Sequence, residues 1–170
     1  MPLDSASRSS TYRYRLNASQ PVWLLRRHLD FDVLTIPFKV RPGQGSLPVQ
    51  LNTGFNAAIY LGQRLDFYSL RTKRMSPFGL TPRTQYTGLG YGAFLGAGST
   101  LINAGVTGQQ VRGPEHTGFV VHGGVAGLYD ARLLNIGLAI GVDQLLGADG
   151  RYWVYQHKPW FGILLGLDLN

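Results

Sequence analysis

The sequence predicts an all-β chain, wound as a closed antiparallel up-and-down barrel of about eight strands that takes in residues 1–170 as a single domain. Three observations predict it. Apolar residues alternate with polar or glycine residues along most of the chain, which is the period of a strand, and helical spacing is nearly absent outside a short stretch near 24–29. Charged residues are only 15% and hydrophobic ones 44%, against roughly 25% charged in an average soluble domain. Even so, no stretch approaches the roughly 18 uninterrupted apolar residues of a spanning helix. Finally, most of the 23 glycines fall inside the alternating segments, where they mark bends, bulges or close backbone approach in a curved wall.

The alternation places strands at 11–17, 21–27, 31–41, 49–69, 85–103, 117–130, 134–146 and 152–169, with residues 1–20 a loose N-terminal segment. Pro21 separates the first two. Pro42-Gly43, Arg112-Gly113-Pro114 and the hairpin dipeptide Asp149-Gly150 punctuate later boundaries. From 49 to 69 the odd positions are almost all apolar (Val49, Leu51, Phe55, Ile59, Leu61, Leu65, Phe67), while Asn52, Asn56, Arg64 and Asp66 lie on the even face. The split recurs as Leu89, Tyr91 and Leu95 against glycines, as Ile136, Leu138 and Ile140 against Asn135, Gly137 and Gly141, and as Phe161, Ile163 and Leu165 against Gly162 and Gly166.

A face of glycine and asparagine with few Lys or Glu is an unusual solvent face but suits a crowded interior, and a large apolar exterior suits lipid. The apolar faces are therefore expected outward, in a transmembrane barrel. Tyr60, Phe67, Tyr91, Phe119, Tyr129, Trp153, Tyr155, Trp160 and Phe161 tend towards strand ends, as interfacial aromatic girdles would.

Carrying the alternation through places Lys39, Arg41, Arg64, Asp66, His122, Asp130, Asp143 and Asp168 in the interior. Opposite charges in so narrow a space must pair, and the expected role is a salt-bridged network that locks strand register. Asp143 and Lys39 are the expected partners of Arg64 and Asp66.

The net charge of +7 includes a cluster at Arg71, Lys73, Arg74 and Arg83, read as a basic loop over 70–84. Counting strands back from the C-terminus puts that loop on the periplasmic side, facing a protein partner or the cell wall. No recognition helix or RNA-binding fingerprint accompanies the charge, so no nucleic-acid partner is expected.

There is no phosphate loop and no G-x-S-x-G elbow. Cysteine is absent, and His28, His116, His122 and His157 lack metal-pair spacing, so no cofactor or metal is expected. Acyl hydrolysis would need Ser99 beside His116 and Glu115. The first thirty residues show no charged start followed by an apolar core and cleavage site.

With the strands drawn, the chain resembles the small outer-membrane β-barrel proteins of Gram-negative bacteria. The runs Phe31-Asp32-Val33-Leu34-Thr35-Ile36-Pro37-Phe38-Lys39 and Trp153-Val154-Tyr155-Gln156-His157-Lys158-Pro159-Trp160-Phe161-Gly162 resemble, more narrowly, poorly characterised barrel-like proteins of the Bacteroidota. The resemblance covers about 22–170 and implies a fold and an outer-membrane compartment, not an activity. It departs from the family at the end, where Gly166-Leu167-Asp168-Leu169-Asn170 lacks the usual terminal aromatic residue. The expected function is a non-enzymatic outer-membrane barrel, in contact with outer-membrane lipid, with a structural, interaction or narrow-conductance role. The alternatives are a soluble lipocalin-like barrel binding an apolar small molecule, and a lipid-modifying enzyme.

Overall fold

The computed structural model describes residues 22–45, 47–76, 79–110, 114–130 and 135–168, and for 71–76, 79–84, 167 and 168 the backbone alone. Among these residues seven strands follow one another: β1 (Val22–Arg41), β2 (Gln50–Asn52), β3 (Asn56–Ser76), β4 (Gly79–Ile102), β5 (His116–Asp130), β6 (Asn135–Leu145) and β7 (Pro159–Asp168). Among the described residues the only helical turns are short 3-10 turns at Gly105–Thr107 and Ala148–Arg151. All pairings are antiparallel. They run β1-β3-β4-β5-β6-β7, and β7 returns to β1, which closes a ring of six strands with β2 laid beside the end of β1.

The alternation in the sequence is the alternation of burial. Ile59, Leu61, Leu89, Leu95, Ile136, Leu138, Phe161 and Ile163 lie on the outer surface, while Arg64, Phe94, Asn135, Asp143 and Trp160 are buried inside. The strands are strongly staggered. Following hydrogen-bonded neighbours once round the ring leads from Lys39 through Gly162, Ala139, Ala126, Gly92 and Gly62 to Asp30, nine positions before the start on β1. Such a stagger tilts the strands and widens the ring. Every position on that path between Lys39 and Asp30 is glycine or alanine.

Two expected strands, 21–27 and 31–41, are one. Pro37 lies within β1, and the pairing with β7 shifts register between Thr35 and Phe38. That bulge absorbs a residue with no N–H to donate. It also switches the inward positions of β1 from even (Asp30, Asp32, Leu34, Ile36) to odd (Lys39, Arg41). The expected strand at 49–69 is split instead, into β2 and β3. At the break the Asn52 Oδ1 accepts the Gly54 N–H at 2.7 Å, and Asn56 Nδ2 donates to the Gly54 carbonyl at 2.7 Å.

Among the described residues there are thus seven strands, six of them in the ring. Of the last expected strand, 152–169, Pro159–Asp168 is extended among the described residues, while residues 152–158 turn at the end of the ring that carries the longer connections. There Val154 N–H bonds the Val106 carbonyl and His157 N–H the Asp143 carbonyl. The basic loop is corrected too. Arg71, Lys73 and Arg74 belong to β3 and Arg83 to β4, where Arg71 stands opposite Arg83. The long 70–84 connection is a continued hairpin, because threonines and apolar residues there sustain pairing where charge alone suggested a loop. The expected strand 11–17, the loose 1–20 segment, Arg112-Gly113 and the 131–133 turn lie outside the described residues.

The inner glycines make room for large neighbours. A Cβ on Gly141 would lie 2.6 Å from the Trp160 ring and 2.9 Å from the Gly123 carbonyl, and one on Gly162 2.8 Å from the same indole. Gly127 faces outward, and a Cβ there would meet only the Gly90 carbonyl at 3.9 Å. Gly141→Ala should therefore destabilise by about 1–3 kcal/mol through overpacking. Gly127→Ala should be close to neutral. Denaturant unfolding of the two variants side by side checks the assignment, and equal losses would contradict it.

Candidate functional site

Two polar networks fill the ring, one at each end. At the mouth, where the longer connections gather, β1 delivers Lys39 and Arg41 immediately after its bulge. Lys39 Nζ donates to Asp143 Oδ1 at 2.9 Å, and Arg41 Nη2 to Asp143 Oδ2 at 2.5 Å. Lys39 Nζ also lies 3.2 Å from His122 Nδ1, and His122 stands opposite Asp143 in the β5–β6 register. All four side chains are buried. Arg41 Nη1 reaches Gln50 at 3.1 Å and Thr100 at 3.2 Å, and Asn52 Nδ2 donates to the same Thr100 hydroxyl at 2.9 Å.

Two cations thus share one carboxylate, and aromatic rings make up part of the difference. Lys39 Nζ sits 4.5 Å from the Trp160 ring centre, and the Arg41 guanidinium 5.0 Å from Trp153 and 5.6 Å from Tyr155. Desolvated cation–π contacts of this kind are worth about 2 kcal/mol each. Trp153 and Tyr155 pack with Ile102, Val106, Val120 and Leu145 into an apolar cap at the mouth.

At the other end several carboxylates gather round one guanidinium among the described residues. Arg64 of β3 is ion-paired to Asp130 of β5, to Asp66 at 3.4 Å and to Asp30 of β1 at 3.8 Å. The Tyr86 hydroxyl lies 2.6 Å from Asp130 and 3.0 Å from Asp66, and accepts from Arg64 Nη2 at 3.0 Å. His28 Nδ1 is 3.4 Å from Asp66, and Asn135 Nδ2 donates to Asp32 at 2.6 Å. Between the networks lies an apolar layer of Leu34, Ile36, Tyr60, Phe94, Leu128, Trp160 and Leu164. Phe94 and Trp160 border the mouth network at His122, with ring centres 6.2 and 6.1 Å away.

Of the eight interior residues expected from sequence, Lys39, Arg41, Arg64, Asp66, His122 and Asp143 are buried inside, and Asp130 is half-buried against Arg64. The side chain of Asp168 lies outside the described residues; its backbone stands opposite Asp32. The pairing differs from expectation. Arg64 does find opposite charges on other strands, but Lys39 and Asp143 pair with each other and not with Arg64 or Asp66. The stagger of the ring puts them at the mouth.

Sequence reasoning missed Asp30, Asp32, Tyr86, Thr100 and Asn135 as network members. Asp30 and Asp32 were legible only by extending the even face of β1 back past the bulge. Tyr60, Trp153, Tyr155 and Trp160, expected in the aromatic girdles, are inside instead. Nor are the elements of the conceivable hydrolase assembled. Ser99 stands opposite Phe119 and His116 opposite Ile102. Both His116 nitrogens are engaged, Nδ1 with the Pro114 carbonyl at 3.2 Å and Nε2 with Asp149 at 3.0 Å. Among the described residues no group of three or more His, Asp or Glu side chains is arranged to hold a metal ion.

Outside, the ring carries a continuous belt of exposed aliphatic and aromatic side chains, among them Leu29, Leu61, Leu95, Val125, Leu138 and Phe161. Fold and interior together define an all-β protein of inverted polarity: a six-stranded antiparallel ring with ion pairs inside and apolar side chains outside. Comparison with protein-family models, with curated proteins and with solved structures gave no match.

Asp143→Asn should cost roughly 3–5 kcal/mol, because it leaves two buried cations against a neutral amide. Replacing Lys39 and Asp143 together by Met and Leu should recover much of the loss, and an additive double mutant would contradict the pairing. At the solvent-exposed start of β5, beyond the apolar belt, the Pro114 carbonyl and then the Asp149 carboxylate hold the His116 pKa above its usual 6.5. A raised folded pKa means the contact's contribution is full below the unfolded value and fades as pH rises through the folded one. NMR titration should therefore show His116 titrating above an ordinary histidine, and Asp149→Asn should lower its pKa.

Proposed function

We propose that this chain is a small transmembrane β-barrel of a bacterial outer membrane, non-enzymatic, with an interior closed by its own side chains. The observation that carries the reading is the inverted polarity. Leu138 is 72% exposed, Leu29 73% and Phe55 72%, while Lys39 and Asp143 are fully buried. Water-soluble monomers rarely expose contiguous apolar patches of more than a few hundred Å², and here the belt runs round the ring. A bilayer removes that conflict, and a closed ring leaves few strand edges for it to solvate.

The same geometry weighs against the other readings. A lipocalin-like protein needs an apolar cavity facing inward, whereas this interior is ion-paired at both ends and filled by Tyr60, Phe94 and Trp160 between them. That filled middle also favours a structural or interaction role over conductance. Six ring strands are fewer than the eight of the smallest bacterial single-chain barrels, and the steep stagger widens the ring in partial compensation.

Connection lengths support an orientation. The connections 42–55, 103–115 and 146–158 share one end, while the two-residue 77–78 and four-residue 131–134 connections share the other. Outer-membrane barrels have longer extracellular loops and short periplasmic turns, so on this reading the mouth faces out and the β3–β4 hairpin faces the periplasm.

The chain should need detergent to stay monodisperse, and should fold into lipid vesicles with its β-structure protected from protease. Leu138→Arg should lower stability in vesicles by roughly 2–4 kcal/mol if the residue lies at mid-membrane depth. A protein that is monodisperse without detergent, with an unchanged Leu138→Arg variant, would overturn the membrane reading.

A further inference from the structure

The wall of the ring is not laddered all the way to its mouth. β2 pairs with β1 at residues 39–41 and β3 resumes the same wall at Asn56, so the chain leaves the ladder at residues 53–55. β4 pairs with β3 as far as Gly98 opposite Asn56, and the Ser99 N–H still reaches the Phe55 carbonyl at 2.9 Å. Beyond that, among the described residues, β4 pairs with β5 alone. A groove of about 260 Å³ lies there, lined by residues 50–54 of one wall and by Ser99, Thr100, Leu101 and Thr117 of the other. Amides and hydroxyls dominate this lining, and none of it is acidic.

The hydrogen bonds already made decide what the lining can still offer. A hydroxyl has one proton to donate and two lone pairs with which to accept. Thr100 Oγ1 accepts from Arg41 Nη1 at 3.2 Å and from Asn52 Nδ2 at 2.9 Å, so both lone pairs are taken and its O–H is left as a donor. Gln50 Oε1 accepts from Arg41 Nη1 at 3.1 Å, which leaves its amide NH2 as a second donor. Asn52 is already committed at both ends, with Oδ1 accepting the Gly54 N–H and Nδ2 serving Thr100. The backbone adds a third donor. Backbone groups alternate sides along a strand, and the Ser99 N–H points across towards β3. The Leu101 N–H therefore points the same way, where the described residues give it no ladder partner.

Donors from both walls thus line one groove, and Arg41 strengthens them. Its buried guanidinium holds Gln50 and Thr100 through the same Nη1. A group whose oxygen accepts from a cation becomes the stronger donor in its turn. The complement of such a lining is a group that only accepts, and negative charge on it makes each bond stronger. The volume is smaller than the roughly 300–1,000 Å³ of pockets that take drug-sized molecules, which suits a small group and not a whole lipid or sugar chain.

We propose that this groove is a binding site for an oxyanion, a phosphate or carboxylate group, held by the Thr100 hydroxyl, the Gln50 amide and the Leu101 N–H with Arg41 behind them. The group arrives as a free ion or as the headgroup of an amphiphile, and the same donors meet it in either case. Its recognition does not depend on the membrane reading, because the groove lies at the rim.

The test uses the full chain in uncharged detergent micelles, near neutral pH and at constant ionic strength. Amide NMR shifts are followed during titration with inorganic phosphate, acetate and dihexanoyl phosphatidic acid, and with dihexanoylglycerol, which lacks the phosphate. An oxyanion should shift the amides of residues 50–54 and 99–101 saturably and leave Leu138 and Ile163 unmoved. Phosphatidic acid that binds more tightly than phosphate identifies a lipid headgroup as the source, and equal affinity identifies the free ion. T100V should weaken binding by about tenfold or more, as the loss of a hydrogen bond to a charged group implies. S99L, which fills the groove from its outer side, should abolish it. Q144L, exposed on β6 away from the groove, should leave it unchanged. Should T100V not fold, the wild-type shifts and S99L decide. Oxyanions that move no groove amide, or move only the exposed His116, Arg151 and Lys158, overturn the proposal. So does binding that survives in S99L, or dihexanoylglycerol that shifts the groove as strongly as phosphatidic acid.

Discussion

Asp143 is the carboxylate on which the mouth of the ring depends. It accepts from Lys39 and Arg41, and these two reach it only because the bulge at Pro37 turns the odd positions of β1 inward. Arg41 then ties in β2 through Gln50 and β4 through Thr100. Five elements meet around one buried anion. Taking a charge out of water costs several kcal/mol, and only good geometry and further hydrogen bonds offset it. Here a two-to-one ratio of cations to carboxylate is made tolerable by Trp153, Tyr155 and Trp160, whose ring faces supply negative potential without a further ion.

At the opposite end Arg64 is set among Asp30, Asp66 and Asp130, and Asn135 donates to Asp32. Among the described residues, the mouth network and this lower network are separated by an apolar layer. The glycine walls make this possible at so small a strand number. Gly141 and Gly162 leave the volume that the Trp160 indole fills, and the indole in turn covers Lys39.

Much of this was legible in the sequence because a wall of strands has only two faces. Once Leu138 is set outside, Asp143 and Asn135 are inside by parity, and the same step places Arg64 and Asp66. Parity fails where a residue is added or lost. Pro37 sits at such a place, and so does the break at residues 53–55, which is why β1 was read as two strands and β2 with β3 as one. Partner choice was not legible either. Lys39 and Arg64 are both interior, but the nine-position stagger that sends them to opposite ends exists only once the ring is closed. Residues 152–158 alternate like a strand, yet Trp153 and Tyr155 serve as a lid because the chain must turn back over the mouth to start β7 at Pro159.

The break between β2 and β3 also leaves a seam in the rim of the wall. Pairing of β4 with β3 stops at Gly98, whereas its pairing with β5 continues to Ile102. Past that point the two walls are joined by the Ser99 N–H to the Phe55 carbonyl and by the Asn52 side chain to Thr100. A groove of about 260 Å³ lined by Asn52, Ser99, Thr100 and Thr117 follows the seam. Structures open first where ladder bonds are fewest. Solvent exchange at this rim is accordingly governed by a local parting of β2 from β4, while β5, β6 and β7 keep the rest of the ring closed.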